Sequence, residues 1–172
     1  MPTLVCASKC TTTTLDAVCE LITHVHPSRA SIARGFRNST RADAGHARLV
    51  LLDDADDGVL GCVELRTSCA VRGCENMRNA LMETVIVCPL HRRRGIGTIL
   101  VRAATAWAFN AGFDVVTAYC DAALVGFYTL DACGFVYEAP IGKGGDGDLE
   151  SCVRAFATAD ARARYVDARR MF

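Results

Sequence analysis

The stretch Glu83–Thr98 constrains the fold more than any other part of the sequence. It opens with a run of β-branched residues, Thr84–Val87, which is typical of a strand. Pro89 predicts that the strand ends one residue earlier, because proline has no N–H to give to a sheet. Apolar residues at helical spacing then begin at Ile96, and Gly112 predicts the end of that helix. The stretch therefore encodes a strand, a short loop and a helix in direct succession.

Between strand and helix, the loop carries Arg92, Arg93, Arg94, Gly95 and Gly97. Glycines allow backbone N–H groups to approach an anion closely, the first turn of a helix offers unpaired N–H donors, and arginine adds bidentate donors. The loop is therefore predicted to hold a phosphate ester. It is neither a P-loop, which needs Lys followed by Ser or Thr after the glycines, nor a dinucleotide fingerprint, which needs a third glycine.

The composition is that of one globular domain spanning residues 1–172. Hydrophobic residues make up 51% of the chain and charged residues 22%, and the formal net charge is zero. A neutral chain is not expected to bind nucleic acid or an anionic membrane surface. The sequence has no apolar run long enough to span a membrane and no signal-peptide pattern at its start, so we expect a cytoplasmic protein.

The ten cysteines contain no Cys-x-x-Cys pair. With no export signal, this pattern predicts reduced thiols, most of them in the core, rather than disulfides or a metal site. Four aspartates lie in the turn Asp53–Gly58, but their spacing is not that of a calcium loop, and the Asp-Gly pair between apolar runs predicts a hairpin. No metal is therefore expected.

The periodicity of the whole chain predicts an α/β fold (an α+β mixed sheet) with an antiparallel hairpin and one crossover helix between the fourth and fifth strands. The first helix is expected to follow Thr11–Thr14, to use Thr13 and Asp16 as a capping box, and to end by Pro27. The segments 68–79 and 142–148 are expected to be loops. The predicted strands are Thr3–Ala7, His46–Leu52, Val59–Thr67, Thr84–Cys88, Asp114–Tyr119, Phe135–Ile141 and Tyr165–Met171, and the other predicted helices are Arg29–Arg37, Ile96–Gly112, Ala122–Asp131 and Glu150–Arg164.

The hexapeptide Arg92–Gly97 resembles the Arg/Gln-x-x-Gly-x-Gly/Ala signature of the GNAT superfamily of acetyl-CoA-dependent N-acetyltransferases. Downstream, Phe127-Tyr128 followed by Cys133-Gly134-Phe135 is similar to a second segment of that family. The resemblance implies the GNAT fold, a central mixed sheet of about six to seven strands with splayed fourth and fifth strands, flanked by helices. It also implies acetyl-CoA as the cofactor. The residues that it assigns to coenzyme binding are Val85, Ile86, Val87, Arg92, Arg93, Arg94, Gly95, Ile96, Gly97, Thr98, Asp121 and Phe127.

Acetyl transfer to an amine needs a base for the amine, polarisation of the thioester carbonyl and a proton for the departing thiolate. The resemblance implies Tyr128 as the general acid and Glu83, at the start of the fourth strand, as the base. Glu64 and His46 stay open as alternative bases. A backbone N–H within residues 85–87 would polarise the carbonyl. Asp121 replaces the asparagine that many family members carry to support the pantetheine arm.

Further segments are similar to the branch of the family that acetylates the processed N-terminus of actin, among them Ala111-Gly112-Phe113 and Tyr137-Glu138-Ala139-Pro140. This likeness implies a protein or peptide N-terminus as the acceptor, with actin as the leading substrate and profilin as a candidate presenting partner. The acidic end of such a substrate would be received by Arg29, Arg34 and Arg66.

Two alternatives to this function stay open. The first keeps the fold and moves the acceptor to a small-molecule amine or a lysine side chain. The second is a non-catalytic acyl-CoA-binding module that keeps the phosphate loop and lacks a working base.

Overall fold

The computed structural model of the chain describes residues 2–27, 30–38, 46–68, 74–143 and 149–170. The strands in these residues are β1 (Thr3–Cys6), β2 (His46–Leu52), β3 (Val59–Ser68), β4 (Asn79–Val87), β5 (Val115–Asp121), β6 (Val136–Lys143) and β7 (Leu149–Phe156). The helices are α1 (Thr12–Val25), α2 (Ala30–Arg37), α3 (Ile96–Asn110), α4 (Val125–Tyr128) and α5 (Ala159–Arg170). The strands form one sheet in the order β1-β2-β3-β4-β5-β7-β6, in which β4 is parallel to β5. This confirms the predicted mixed α/β fold.

The chain divides into two compact units, and the first comprises Met1–Leu65 and Thr84–Ala104. In it, β1 and β2 are antiparallel, and the predicted hairpin turn joins β2 to β3, with the Asp53 N–H donating to the Gly58 carbonyl at 2.9 Å. The core packs α1 and α2 with strand residues. Its buried side chains include Val18, Ile22, Phe36, Val50, Cys62 and Ile86.

The start of α1 differs from the predicted capping box at Thr13 and Asp16. The helix begins at Thr12, and the side chain of Thr11 accepts a hydrogen bond from the Thr14 N–H at 3.1 Å. Asp16 instead pairs with Arg37 of α2 at 2.8 Å. The box prediction was wrong because an earlier threonine in the same run takes the capping position, which moves the first turn towards the N-terminus.

The second unit comprises Arg66–Glu83 and Thr105–Phe172. The parallel ladder pairs Asn79–Met82 of β4 with Val115–Ala118 of β5. On its other side β5 is antiparallel to β7, and β7 is antiparallel to β6. Whether the two units make a single domain, as the sequence predicts, stays a prediction.

The predicted helix Glu150–Arg164 was wrong for residues 150–158, and the predicted closing strand Tyr165–Met171 was wrong for residues 165–170, while Met171 lies outside the described residues. Residues 149–156 form β7, which pairs on both sides, and Ser151–Ala155 are all buried. A strand buried on both faces has no alternation of polar and apolar residues, so its alanine and charged residues resembled a helix. The helix α5 begins only after Thr158, whose hydroxyl accepts from the Ala161 N–H, and Tyr165 anchors it through hydrogen bonds with Arg154 and Glu138.

Other observed element boundaries differ less from the predicted ones. The predicted helix Ala122–Asp131 is a 3-10 turn, Ala122–Leu124, followed by the single turn α4. β4 begins at Asn79, five residues before the β-branched run, because parallel pairing with β5 buries the preceding segment. Parts of the two predicted loops, residues 69–73 and 144–148, lie outside the described residues.

Six of the nine cysteines within the described residues are buried, which confirms the core location predicted for most of them. Within the same residues, no group of three or more His, Cys, Asp or Glu side chains is arranged to hold a metal ion. Among the described helices, none has both the length and the apolar character needed to cross a membrane.

Candidate functional site

The end of β4 is held close to β3 and α3 in the first unit. The Cys88 N–H donates to the Leu60 carbonyl at 2.9 Å. A Cβ at Gly61 would lie 2.5 Å from the Ile86 carbonyl oxygen and 2.9 Å from a methyl carbon of Leu100. Only glycine permits this approach, so Gly61 fixes the position of the strand that precedes the arginine loop, which we define as residues 92–97.

The arginine loop itself has the geometry of an anion site. After a 3-10 turn at Pro89–His91, the backbone takes left-handed angles at Arg93 (φ 63°) and Gly95 (φ 77°). The side chains of residues 92–94 are exposed, whereas Ile96 is buried and anchors the helix start. These angles turn the chain sharply into α3 and leave three cationic side chains in solvent.

The first turn of α3 supplies backbone donors beside those cations. The Ile99 N–H donates to the Gly95 carbonyl at 3.1 Å, as the first bond of the helix. The N–H groups at residues 96–98 therefore precede the intrahelical ladder, and they carry the partial positive charge of a helix N-terminus. Together with the three arginines, these donors fit a pyrophosphate. Of the predicted coenzyme residues upstream, Ile86 is 2% exposed and packs in the core, so that residue has only its backbone to offer.

Thr84 is an outlier that the sequence did not reveal. It lies within β4 at φ 55°, a left-handed angle that β-branched residues rarely adopt. Its side chain is buried, and among the described residues its Oγ1 has no hydrogen-bond partner. The β-branched run predicted a regular strand here, because a local distortion depends on neighbouring strands that a linear pattern does not include.

Glu64 is a buried carboxylate in the same unit. Its Oε1 lies 2.8 Å from Arg48 Nε and 2.6 Å from His46 Nε2, and Arg48 also stacks over the Phe36 ring at 5.8 Å. Glu64 is 4% exposed, whereas the His46 side chain is 30% exposed. The two residues left open as alternative bases are therefore hydrogen-bonded to each other, with the arginine balancing the buried charge.

A cavity of about 530 Å³ lies between α1 and α2. Its floor is formed by Cys19 and Ala33, which belong to the same core cluster as Ile86 of β4. Around the floor lie four charged or titratable side chains, Glu20, His24, Arg34 and Arg37. Of the predicted acceptor-binding arginines, Arg34 lines this cavity and Arg29 lies outside the described residues.

In the second unit, the predicted base is paired with the third of those arginines. Arg66 Nη2 donates to Glu83 Oε1 at 2.8 Å, and the two side chains are 52% and 27% exposed. Asp121 is exposed at the end of β5, opposite Glu150 of β7.

Tyr128 is 7% exposed and packs edge-on against Phe127, with ring centroids 5.0 Å apart, and against Phe135 at 5.5 Å. Burial raises the pKa of the Tyr128 phenol above its ordinary value, and the neighbouring thiols of Cys120 and Cys133 raise it further. A phenol in this environment keeps its proton at neutral pH and can donate it.

Comparisons with known proteins bear on this arrangement. Residues 15–135 match the model of the Acetyltransferase (GNAT) family. No curated protein sequence matches the chain.

Solved structures share the fold at low sequence identity. A protein assigned to the GNAT family from Desulfovibrio desulfuricans superposes with a TM-score of 0.73 at 16% identity, covering 92% of this chain and 100% of that one. A spermidine N-acetyltransferase variant from Vibrio cholerae gives 0.67 at 17% identity, covering 90% and 95%. An aminoglycoside 6'-N-acetyltransferase complexed with coenzyme A gives 0.69 at 11% identity, covering 91% and 97%. With the family match over residues 15–135, these findings establish that the chain belongs to the GNAT family of acetyltransferases, whose acyl donor is acetyl-CoA.

Proposed function

We propose that the chain transfers the acetyl group of acetyl-CoA to a primary amine of a small molecule. The observation that carries this proposal is the cavity between α1 and α2, because about 530 Å³ is the volume of a small-ligand site. Glu20 and His24 in its lining are groups that attract an ammonium or accept its hydrogen bonds. Two proteins of the same fold, which act on spermidine and on an aminoglycoside, support this class of acceptor.

Each group of candidate residues has a role in the proposed reaction. Bound acetyl-CoA supplies an activated acyl group. The arginine loop and the first turn of α3 bind its pyrophosphate through the donors at residues 92–98. Glu83 accepts the proton that the amine loses, and Arg66 holds this carboxylate in place. Tyr128 gives its proton to the departing sulfur.

An acidic protein N-terminus, such as that of actin, is a second candidate acceptor. The observation that favours it is Arg34 in the cavity lining, since arginine binds carboxylates with two parallel hydrogen bonds. Arg37 contributes less, because it already pairs with Asp16 at 2.8 Å. Arg66 is likewise engaged, with Glu83. Because Arg37 and Arg66 already form ion pairs, Arg34 is the principal cation for this substrate among the described residues.

Release of coenzyme A in the presence of each acceptor tests the proposal. Spermidine, an aminoglycoside, a peptide with an acidic N-terminus and a lysine peptide are compared at equal concentration. We expect turnover of at least one small-molecule amine to exceed that of both peptides. Turnover confined to the acidic peptide would contradict the small-molecule proposal and support the second candidate. Tight acetyl-CoA binding without turnover of any amine would support a non-catalytic module.

The variant Arg34→Glu separates the two acceptors by charge. It should raise kcat/KM for a polycationic amine and lower it for the acidic peptide, each by about tenfold if one ion pair is gained or lost. Lys9→Glu makes the same change in charge at an exposed position outside the cavity lining and serves as the matched control. Equal effects of the two variants would mean that the cavity does not receive the acceptor.

A further inference from the structure

The hydroxyl of Thr84 is a buried polar group that lacks a hydrogen-bond partner among the described residues. Buried hydroxyls are almost always hydrogen-bonded, since burying one alone destabilises a protein. A bound ligand can supply the partner that the described residues do not, and the backbone around Thr84 indicates where that ligand lies.

The strand at Thr84 is distorted in a way that favours a binding role. Its φ of 55° is strained for a β-branched side chain, yet the strand continues through Val85, Ile86 and Val87 towards the arginine loop. Strained residues of this kind concentrate where a protein contacts a ligand. Thr84 lies four residues before Cys88, whose N–H donates to the Leu60 carbonyl of β3.

From these observations we infer that the Thr84 hydroxyl donates a hydrogen bond to the thioester carbonyl oxygen of acetyl-CoA. In the transfer, the amine nitrogen bonds to the carbonyl carbon and loses a proton, while the carbon–sulfur bond breaks and the sulfur leaves with the electron pair and takes a proton. Negative charge grows on the carbonyl oxygen during this exchange, and a hydroxyl donor stabilises it. Thr84 keeps its own proton throughout. The inference rests on the family's use of acetyl-CoA and not on the identity of the acceptor.

Two ligands that differ by one acetyl group test this contact. Coenzyme A lacks the carbonyl, so Thr84→Val should weaken acetyl-CoA binding about three- to tenfold and leave the Kd of coenzyme A within about twofold. Valine keeps the shape and the β-branch, and so the backbone strain, while it removes only the hydroxyl. Thr84→Ser retains a hydroxyl and should keep the preference for acetyl-CoA. Calorimetry measures the six dissociation constants of the two ligands for the wild type, Thr84→Val and Thr84→Ser.

Thr105 provides a matched control for the loss of a buried hydroxyl. It lies in α3, and its Oγ1 also lacks a partner among the described residues. Thr84→Val and Thr105→Val should each raise the midpoint of thermal unfolding by about 2–4 °C, because each removes an unsatisfied buried group. Only Thr84→Val should change the ratio of the two dissociation constants.

A loss of affinity for acetyl-CoA but not for coenzyme A in Thr84→Val supports the hydrogen bond from Thr84 to the thioester carbonyl. An equal change in both affinities, or no change in either, overturns it. If Thr84→Val does not fold, Thr84→Ala gives the same comparison. Failure of every small-molecule acceptor would remove the proposed function and leave this binding test intact, because the test contains no acceptor.

Discussion

Replacing Tyr128 with phenylalanine isolates the phenol from the ring that carries it. The ring packs edge-on against Phe127 and Phe135, with centroids 5.0 and 5.5 Å away, and phenylalanine keeps both contacts. The free energy of unfolding should therefore change by no more than about 1 kcal/mol, the worth of one hydrogen bond. If the phenol gives its proton to the departing sulfur, kcat should fall at least about 100-fold. The Kd of acetyl-CoA should change by less than about threefold.

The raised pKa of Tyr128 fixes the expected pH dependence. An unfolded tyrosine ionises near pH 10, and burial, aided by Cys120 and Cys133, raises the pKa of the folded residue above that value. The folded protein then holds this proton at pH values where the unfolded chain has lost it. Tyr128 therefore contributes stability that is complete below about pH 10 and is lost as the pH rises through the folded value. In the wild type, the rate should show no decline below about pH 10 that depends on Tyr128.

The assay combines coenzyme A release with calorimetric titration of acetyl-CoA. Tyr119→Phe serves as the control, because it removes a phenol that is 46% exposed and should leave kcat unchanged. A Tyr128→Phe protein with wild-type kcat would refute the assignment of the acid. Loss of kcat accompanied by an equal loss of acetyl-CoA affinity would assign the phenol to binding instead.

Three further predictions concern charge and burial. Glu64→Gln should lower the free energy of unfolding by about 2–4 kcal/mol, since it leaves the Arg48 side chain, which is 17% exposed, without its anion. Asp16→Asn breaks an exposed ion pair and should cost less than about 1 kcal/mol in urea unfolding, and equal effects of the two variants would contradict the burial argument. Glu83→Gln should lower kcat about 10- to 100-fold with unchanged acetyl-CoA affinity, and an unchanged kcat would mean that another residue is the base. The fold should tolerate this change, because Arg66, the partner of Glu83, is half exposed. Because burial raises the pKa of the Cys62 thiol, alkylation at pH 8 followed by mass spectrometry should label it only after unfolding, and early labelling would mean that the core opens readily.

The elements that the sequence predicted well are those set by local chemistry. The strand, loop and helix around Pro89 and Gly95 depend on a missing N–H and on a left-handed φ, both of which are properties of single residues. The hairpin at 53–58 follows from its Asp-Gly pair for the same reason. Such features need no knowledge of distant contacts.

The errors lie where distant contacts decide the structure. β7 is a strand because β5 and β6 flank it, although its residues alone indicate a helix. The distortion at Thr84 and the burial of Glu64 arise from strands that meet only in the folded sheet. The sequence thus predicts the arginine loop from residue types, whereas the buried polar groups of the candidate site require the tertiary structure.

Titration of acetyl-CoA into the wild type and the Gly97→Asp variant tests the central claim most directly. Aspartate suits the first turn of a helix, so the variant should be as stable as the wild type or more so by about 0.3–1 kcal/mol. Its charge would face the pyrophosphate, and we expect the Kd of acetyl-CoA to rise at least tenfold, about 1.4 kcal/mol. Asn110→Asp, which adds the same charge at the other end of α3, should leave the Kd unchanged. A stable Gly97→Asp protein with wild-type affinity would contradict the assignment of residues 92–98 to the coenzyme.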